Sequence, residues 1–283
     1  MQKEGYKAHT VRSAVSSLKS IARRTRLLDV EAVKGYLATA GISECRKEIL
    51  ALHLSRFYRY SRISFDRPRY KRIEKLPFIP LESEIDQLIG GVGKKTAAFL
   101  QLLKETGMRP GEAWNLKWID IDFEKGTVNV APEKNSKPRE LKISSQTIAM
   151  LNQLPRKSSL IFHFAEADPV KSLDYFRRVF TRQRGKAVER LQNSRISLIS
   201  FKTLRHFKAT TEYHRTKDIL HVMRLLGHRS IRNTLVYIQL VDFESDEYAC
   251  KVAKTVEEAE ALIEEGFDYV TEMEGLKLFK KRK

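Results

Sequence analysis

The sequence predicts a mainly α-helical protein with a small antiparallel β-sheet, divided into two domains. Apolar residues recur at three- and four-residue steps through most of the chain, which is the period of an amphipathic helix. Residues 127–130 alternate instead, as Thr-Val-Asn-Val, which is typical of a half-buried strand. At 283 residues, the chain is long enough to build more than one hydrophobic core.

The first 66 residues are predicted to form a bundle of three helices. Asp29 and Ser43 are placed to cap the second and third helices, because a short polar side chain can accept a hydrogen bond from a free N–H of the first turn. The helices are expected at residues 9–24, 29–39 and 43–60.

Basic residues interleaved with tyrosines cluster where this bundle ends. Such a mixture suits contact with the phosphates of DNA, although a solvated linker with incidental charge is the alternative. Residues 67–77 contain two prolines and little apolar periodicity, so we expect a linker there. The residues that we assign to DNA contact in this region are Arg56, Arg59, Arg62, Arg69, Lys71 and Arg72.

Residues 78–250 are predicted to form the second domain, of the α+β class. Gly107 should end one of its helices, and Pro110 should be the first residue of the next. Arg109 would then be fixed between two helix ends by the backbone. Further helices are expected at residues 94–104, 144–154 and 172–191.

The small sheet is predicted as a hairpin in this domain. The strand at residues 127–130 should pair with a second strand at residues 139–143. The loop at residues 133–138 connects them and carries two lysines, Lys134 and Lys137.

A stretch of two amphipathic helices follows, separated by a break at residues 215–218. Gly227 should end the second helix and leave His228 just outside it. A third short helix should then carry Tyr237, nine residues beyond that histidine.

The side chains of this stretch suit chemistry at a phosphodiester. Two arginines can bind the non-bridging oxygens bidentately and stabilise the charge that builds during displacement. A lysine or histidine can protonate the leaving oxygen, and a tyrosine can attack phosphorus. The stretch supplies Arg205, the donors Lys202 and His228, and the nucleophile Tyr237. A second arginine must come from elsewhere.

These residues resemble the signature of the tyrosine recombinases, the phage integrase family: His-x-x-Arg, Leu-Gly-His, and a nucleophilic tyrosine about nine residues later. Residues 106–112, which contain Arg109, resemble the family's first arginine motif, and residues 133–139 resemble its lysine-bearing β-hairpin. The occurrence of these motifs in the family's order makes the resemblance specific. Lys202 departs from the pattern, because the family usually has a histidine there and a charged lysine can donate but cannot accept a proton.

The resemblance implies a core-binding domain, a catalytic domain and the activity of a site-specific DNA recombinase. Arg109 and Arg205 would hold the scissile phosphate while Tyr237 attacks it and forms a 3′-phosphotyrosine. Lys134 would protonate the departing 5′ oxygen, with Lys137 as the fallback. The freed hydroxyl of a partner strand would reverse the step, with neither a metal nor a nucleotide cofactor.

Four further expectations concern single residues near the nucleophile. Tyr248 is the spare candidate nucleophile. His206 either makes an internal hydrogen bond or takes a direct catalytic part. His228 lies at a helix C-terminus, where the dipole favours a charged imidazole. The neighbouring cations should favour the phenolate form of Tyr237.

A net charge of +18 and a pI near 9.8 predict a polyanionic partner, double-stranded DNA. The first 77 residues hold 18 basic and 7 acidic residues, so most of the excess lies there. A basic surface that only aids solubility is the alternative. Within the second domain, the candidates for DNA contact are Lys137, Arg177 and Arg178.

The sequence predicts no cofactor, no metal and no small-molecule substrate. Its seven histidines do not gather at ligand spacing, and Cys45 and Cys250 form neither a metal-ligand pattern nor a disulfide framework. We find no signal peptide and no apolar run that could span a bilayer, so we expect no membrane partner and a cytoplasmic, nucleoid-associated protein.

Residues 251–283 are expected to form a C-terminal tail. Thr255 and Glu258 make a capping box for an acidic helix, followed by a strand at residues 266–271 and a basic end. This ending resembles the archaeal branch of the family. That resemblance implies an archaeal mobile-element integrase. In related recombinases the segment after the nucleophile docks onto a neighbouring subunit, which implies self-association into a synaptic tetramer.

Three alternatives to a recombinase remain at this point. A type IB topoisomerase would use similar chemistry to relax DNA. A non-catalytic DNA-binding protein of the same fold is an option if Lys202 marks decay of the site. A basic helical regulator would explain the charge but not the order of the motifs.

Overall fold

The chain forms two compact units, Met1–Lys75 and Leu76–Lys283, each with its own apolar core. The computed structural model describes residues 5–6, 8–71, 76–133, 136–163, 173–238 and 248–282. Helices dominate these residues, and two three-stranded antiparallel sheets accompany them. The mainly α-helical class with small antiparallel sheets is therefore confirmed.

The first unit is a bundle of three helices, as predicted. The side chain of Asp29 accepts a hydrogen bond from the Ala32 N–H, and that of Ser43 accepts one from the Arg46 N–H, so both predicted caps are in place. Tyr58 is fully buried, and its hydroxyl donates to the Leu27 carbonyl over 2.9 Å. The helices are α1 (Ala8–Ala22), α2 (Val30–Thr39) and α3 (Glu44–Tyr60).

The second unit is built around one central helix, α5. The ring of Phe99 on α5 contacts those of Phe162, Phe176 and Phe201, with centroid distances of 4.9, 5.1 and 4.9 Å. These contacts join several helices to one core. The helices of the unit are α4 (Glu82–Gly90), α5 (Lys94–Thr106), α6 (Pro110–Trp114), α7 (Ser145–Asn152), α8 (Leu173–Leu191), α9 (Phe201–Thr216), α10 (Ile219–Leu226), α11 (Arg232–Leu235) and α12 (Val256–Glu264).

The predicted hairpin is present and has one strand more than expected. Strands β1 (Ile121–Asp122), β2 (Thr127–Val130) and β3 (Arg139–Lys142) form a sheet in that order. Val128 pairs with Leu141, and both side chains are buried. The two-residue strand β1 is too short to show an alternating pattern, so the sequence does not reveal it.

The C-terminal residues form a second sheet in addition to the predicted helix, α12. Strands β4 (Tyr248–Ala253), β5 (Asp268–Met273) and β6 (Leu276–Arg282) are arranged in the order β4-β6-β5. The boundary suggested at residue 250 falls inside β4. Leu276 and Leu278 belong to the same apolar cluster as Tyr237, so this sheet is part of the unit that carries the candidate nucleophile.

Two glycines set the helix ends that matter for the site. Gly107 ends α5 with φ +62°, and Gly227 ends α10 with φ +66°. Both were predicted as C-terminal glycines, because only glycine adopts this left-handed conformation without strain. Pro110 then opens α6, with Arg109 as its N-cap residue.

We expect Gly107→Ala to lower the free energy of unfolding by about 1–2 kcal/mol, because an L-residue is strained in the left-handed region. The added Cβ would also lie 3.1 Å from Lys208 Cγ and 3.3 Å from Leu226 Cδ2. Urea unfolding followed by tryptophan fluorescence measures this, since both tryptophans, Trp114 and Trp118, lie in the second unit.

Gly185→Ala is the matched control for this measurement. Gly185 lies inside α8 with open space around its Cβ position, so alanine should raise the free energy of unfolding by about 0.5–1 kcal/mol. Effects of the same sign for the two variants would contradict our interpretation of Gly107.

Candidate active site

Arg205 is the most buried cation of the site. It projects from α9, and its side chain and backbone together are only 6% exposed. Its guanidinium donates from Nη1 to the Gly107 carbonyl over 2.7 Å and from Nη2 to the Leu226 carbonyl over 2.8 Å. Both carbonyls lie at helix ends, where the last C=O groups lack helical partners and the dipole favours a cation.

The charge of Arg205 persists at neutral pH despite this burial. Burial, followed by the nearby charge of Arg109, lowers the pKa of Arg205 to about 10. Arg109 follows Gly107 by two residues, so the helix end that binds one arginine also positions the other. The second arginine required by the chemistry is therefore close enough to act on the first.

Arg109 is held by its own helix and by the hairpin. Its backbone N–H donates to Glu112 Oε2 over 2.9 Å, and its Nη1 donates to Glu112 Oε1 over 3.2 Å and to Ser136 Oγ over 2.6 Å. The side chain keeps 24% exposure. Arg109 thus combines a fixed position with access from outside.

Glu112, Ser136 and Arg139 complete this network, and sequence reasoning assigned none of them a role. The carboxylate of Glu112 is fully buried and also accepts from Arg139 Nη2 over 2.6 Å. Ser136 Oγ accepts from Arg139 Nη1 over 3.2 Å and donates to the Gly227 carbonyl over 3.1 Å. The spacing Arg109-x-x-Glu112, which places the carboxylate at the third position of α6, is the sequence signal that could have found Glu112.

The close approach of the hairpin to α10 is possible because Gly227 has no side chain. A Cβ at Gly227 would lie 2.7 Å from Ser136 Oγ and 2.8 Å from Arg139 Nη1. The Lys137 N–H also donates to the Gly227 carbonyl, over 3.1 Å. Gly227 therefore has a second function beyond ending the helix, because it leaves room for the hairpin.

His228 is neutral in the structure, so the predicted charged imidazole is wrong there. Its Nε2 lies 2.8 Å from Arg205 Nη2, and because arginine can only donate, Nε2 is the acceptor. Nδ1 then carries the proton and donates to Thr234 Oγ1 over 2.9 Å. Burial, and then the charges of Arg205 and Arg109, lower the pKa of His228 to about 3, which outweighs the helix dipole.

Tyr237 is buried beside these groups as a protonated phenol. It is 2% exposed and lies two residues beyond α11, so the short helix ends before it. Burial raises the pKa of its hydroxyl, and the opposing charges of Arg205 and Arg109 do not reverse this effect. The expectation of a phenolate was therefore wrong, because the sequence does not report how deeply the phenol is buried. Its hydroxyl lies 3.1 Å from His206 Nδ1.

Two of the lysines predicted for the site, Lys202 and Lys137, are exposed. Lys202 is exposed on the first turn of α9. The charge of Lys202 also acts on His206. Burial, and then the charges of Lys202 and Arg205, lower the pKa of His206 to about 4. Lys137 is exposed on the hairpin loop. Lys134, the predicted acid, lies outside the described residues.

The residues predicted for DNA contact lie at the surface where the structure describes them. Arg56 is half-buried with its guanidinium 5.1 Å from the ring centroid of Tyr6, and Arg72 lies outside the described residues. On α8, Arg177 is exposed and pairs with Asp174 over 2.5 Å. The other exposed members of the set are Arg59, Arg62, Arg69, Lys71, Lys137 and Arg178.

Three further features of the described residues concern metals, thiols and membranes. No group of three or more His, Cys, Asp or Glu side chains in this part of the chain could hold a metal ion. Cys45 and Cys250 are free thiols. No helix within the described ranges has the length and apolar character needed to cross a bilayer.

We expect Glu112→Gln to lower the free energy of unfolding by about 3 kcal/mol at neutral pH, because removing one partner of a buried ion pair leaves the other unpaired. Burial alone would raise the pKa of Glu112, but Arg139 and then Arg109 lower it overall. The stabilisation is therefore complete above the ordinary carboxyl pKa of 4.5 and is lost as the pH falls through the lower folded value.

Denaturant unfolding of wild type and of Glu112→Gln at a series of pH values measures the difference in their free energies of unfolding. Glu124→Gln is the control, because Glu124 is exposed and its substitution should change stability by less than about 0.5 kcal/mol. If the difference in free energy of unfolding between wild type and Glu112→Gln stayed constant down to pH 2, the carboxylate would be excluded as its source.

Comparisons with known proteins place this chain among related sequences. The tyrosine recombinase XerA of Pyrococcus furiosus is 28% identical over 250 residues, which cover 84% of this chain and 78% of that protein. A probable integrase/recombinase of Methanocaldococcus jannaschii is 26% identical over 69% of this chain and 66% of that protein.

Two solved structures share the fold. An integrase of the Tn1549 transposon in complex with transposon right end DNA has a TM-score of 0.63 at 17% identity, covering 93% of this chain and 96% of that one. A lambda integrase dimer bound to a core site has a TM-score of 0.60 at 18% identity, and the match covers 86% of this chain and 92% of that one. The model of the phage integrase family matches residues 81–243, more than half of the chain, and this protein therefore belongs to that family, the tyrosine recombinases.

Proposed function

We propose that this protein is a site-specific DNA recombinase that cleaves and rejoins DNA through a 3′-phosphotyrosine intermediate. The observation that carries the proposal is the meeting of Arg109, Arg205, His228 and Tyr237 in one largely buried site, although they lie far apart in the sequence. Membership of the tyrosine recombinase family supports the same reaction.

The two arginines have different tasks in this reaction. The guanidinium of Arg205 is bound by two neutral carbonyls and by a neutral ring, so its hydrogen bonds fix its position without neutralising its charge. Arg109 is more exposed and reaches a bound phosphate from the outer side. Together they stabilise the negative charge that builds on the non-bridging oxygens.

His228 serves first as an acceptor that orients Arg205. A phosphate bound beside it adds a negative charge, which raises the pKa of the ring because an opposite charge favours the protonated form. The ring then becomes a donor to a non-bridging oxygen. Lys202, at the edge of the site, is a further donor.

Tyr237 is the nucleophile and Lys134 the acid of the proposed cleavage step. The phenolic oxygen attacks phosphorus, and Lys134 protonates the departing 5′ oxygen. In the second step, a 5′ hydroxyl of a partner strand attacks the phosphotyrosine and releases the tyrosine. The bond energy is conserved throughout, so no nucleotide cofactor is required.

The proposed partner is duplex DNA, bound by basic residues of both units, with several copies of the protein on one DNA assembly. A lambda integrase tetramer bound to a Holliday junction is among the structures of this fold. The edge strand β5 exposes Tyr269 (53%) and Val270 (48%), which suits a contact between subunits. We further propose an archaeal mobile-element integrase that acts on the chromosome in the cytoplasm, in keeping with the similarity to the Pyrococcus furiosus protein.

A suicide substrate tests the chemistry directly. We expect wild type to form a covalent adduct with nicked duplexes of randomised core sequence, because the short fragment bearing the 5′ hydroxyl diffuses away and rejoining is blocked. Tyr237→Phe should form no adduct, since the attacking oxygen is gone. Denaturing gels detect the adduct, and its sequence content identifies the target site.

Tyr248→Phe is the matched control, because Tyr248 is the other candidate nucleophile. This variant should form the adduct at the wild-type rate. An adduct with Tyr237→Phe, or none with wild type on any member of the pool, would refute the proposal.

The role of Lys134 predicts a selective rescue. Lys134→Ala should cleave ordinary DNA at least about 10²-fold more slowly than wild type. A 5′-bridging phosphorothioate should restore its rate to within about tenfold of wild type, because a thiolate leaves without protonation. Single-turnover cleavage of the two substrates measures the difference.

Lys137→Ala is the control for this rescue, since Lys137 is the other lysine of the sequence 133–138. It should show no preference for the sulfur substrate beyond that of wild type. A rescue of Lys137→Ala instead of Lys134→Ala would transfer the acid role to Lys137.

A further inference from the structure

His206 contacts the reacting atom of the candidate nucleophile. Its Nδ1 lies 3.1 Å from the hydroxyl oxygen of Tyr237, and the ring centroids are 5.8 Å apart at an interplanar angle of 51°. Within the described residues, this is the hydrogen bond that the Tyr237 hydroxyl makes. Tyr237 itself is 2% exposed, so water has little access to the phenolic proton.

The direction of this hydrogen bond follows from the acidities of the two groups. A phenol is the better donor, and a neutral imidazole nitrogen is the better acceptor. The imidazole is held neutral because burial, and then the charges of Lys202 and Arg205, lower its pKa to about 4. The phenolic hydrogen is therefore directed at the lone pair of Nδ1, and the ring proton lies on Nε2.

The cleavage step needs an acceptor for this proton, and the other polar groups of the site are unsuited. Arg205 and Arg109 carry no acceptor atoms, and the ammonium group of Lys202 carries none either. The carboxylate of Glu112 is already bound by Arg109 and Arg139. His228 already uses Nε2 to accept from Arg205 and Nδ1–H to donate to Thr234. His206 is the group in contact with the hydroxyl that has a lone pair to offer.

We infer that His206 is a catalytic base that takes the phenolic proton of Tyr237 during cleavage and returns it during rejoining. This inference rests on the proposed recombinase function. As the O–P bond forms, the O–H bond of Tyr237 breaks and its proton passes to Nδ1, giving an imidazolium. The P–O5′ bond breaks, and the 5′ oxygen takes a proton from the acid on the other side.

The local charges fit a base that acts only transiently. The cations that act on the ring are Lys202 and Arg205, both on α9 with His206 itself, and Tyr237 faces it from the turn after α11. They disfavour a lasting imidazolium, but the incoming phosphodiester contributes the negative charge that offsets them. The proton therefore moves to His206 only with the phosphate in place.

Single-turnover cleavage of the suicide substrate at saturating DNA tests the inference. At pH 7, His206→Ala should cleave about 10²-fold or more slowly than wild type, as expected for loss of a general base. Its rate should rise about tenfold per pH unit, following the phenolate fraction. Wild type should depend less steeply on pH than His206→Ala, because His206 takes the phenolic proton and the rate then does not require the free phenolate.

His206→Asn separates proton transfer from positioning. The asparagine side chain can place an acceptor oxygen near the position of Nδ1, but it is not a base, so the rate should stay low and rise with pH as in His206→Ala. His214→Ala, an exposed histidine on the same helix, is the control and should retain the wild-type rate and profile.

His206→Ala at the wild-type rate, a low rate with a flat pH profile, or full recovery in His206→Asn would each overturn the role of base. Equal affinities of the variants for DNA verify that they fold. Failure of the wild-type protein to form any adduct would instead refute the proposed function itself.

Discussion

The site depends on one interaction, the burial of the Arg205 guanidinium against the C-terminal carbonyls of two helices. Burying a cation costs several kcal/mol, whereas one helix end returns only about 0.3–1 kcal/mol, and up to about 2 kcal/mol when partly buried. The two helix ends therefore offset only part of the cost. The part of the cost that is not offset comes from the excess of positive charge in the site. A bound anion reduces it.

This constraint explains the arrangement of the neighbouring residues. The carbonyls of Gly107 and Leu226 face Arg205 because left-handed glycines end α5 and α10. His228 follows Gly227 directly and Arg109 follows Gly107 by two residues, so both reach the site from helix ends. Glu112 is the carboxylate that compensates Arg109 and Arg139. One carboxylate among three arginines leaves the site positive, which suits a phosphodiester.

The sequence predicted what is encoded locally. Helix boundaries were predicted to within about two residues from the caps Asp29 and Ser43 and from the terminal glycines. Each of these residues acts on the backbone of its own helix. The hairpin followed from strict alternation. β6 was missed because its cations masked the alternation of Leu276 and Leu278, and the predicted strand at residues 266–271 is displaced to Asp268–Met273.

Contacts between distant segments, and the ionisation states that they set, were beyond the sequence. Ser136 bonds to Gly227 across 91 residues, and spacing alone gives no sign of this link. The motifs identified His228 and Tyr237 but not their burial, which reverses the expected charge of both. Sequence patterns name residue types and order, whereas pKa values depend on desolvation by residues from elsewhere in the chain.

The ionisation states of these groups determine how such a site is controlled. At pH 7, Arg205 is charged because its pKa is about 10. His206 and His228 are neutral because their pKa values are about 4 and 3. Neither histidine can act as the physiological pH switch that an unperturbed imidazole provides. The charge of these groups is therefore constant across the neutral range, and the charge of the substrate phosphate is what changes their proton affinities.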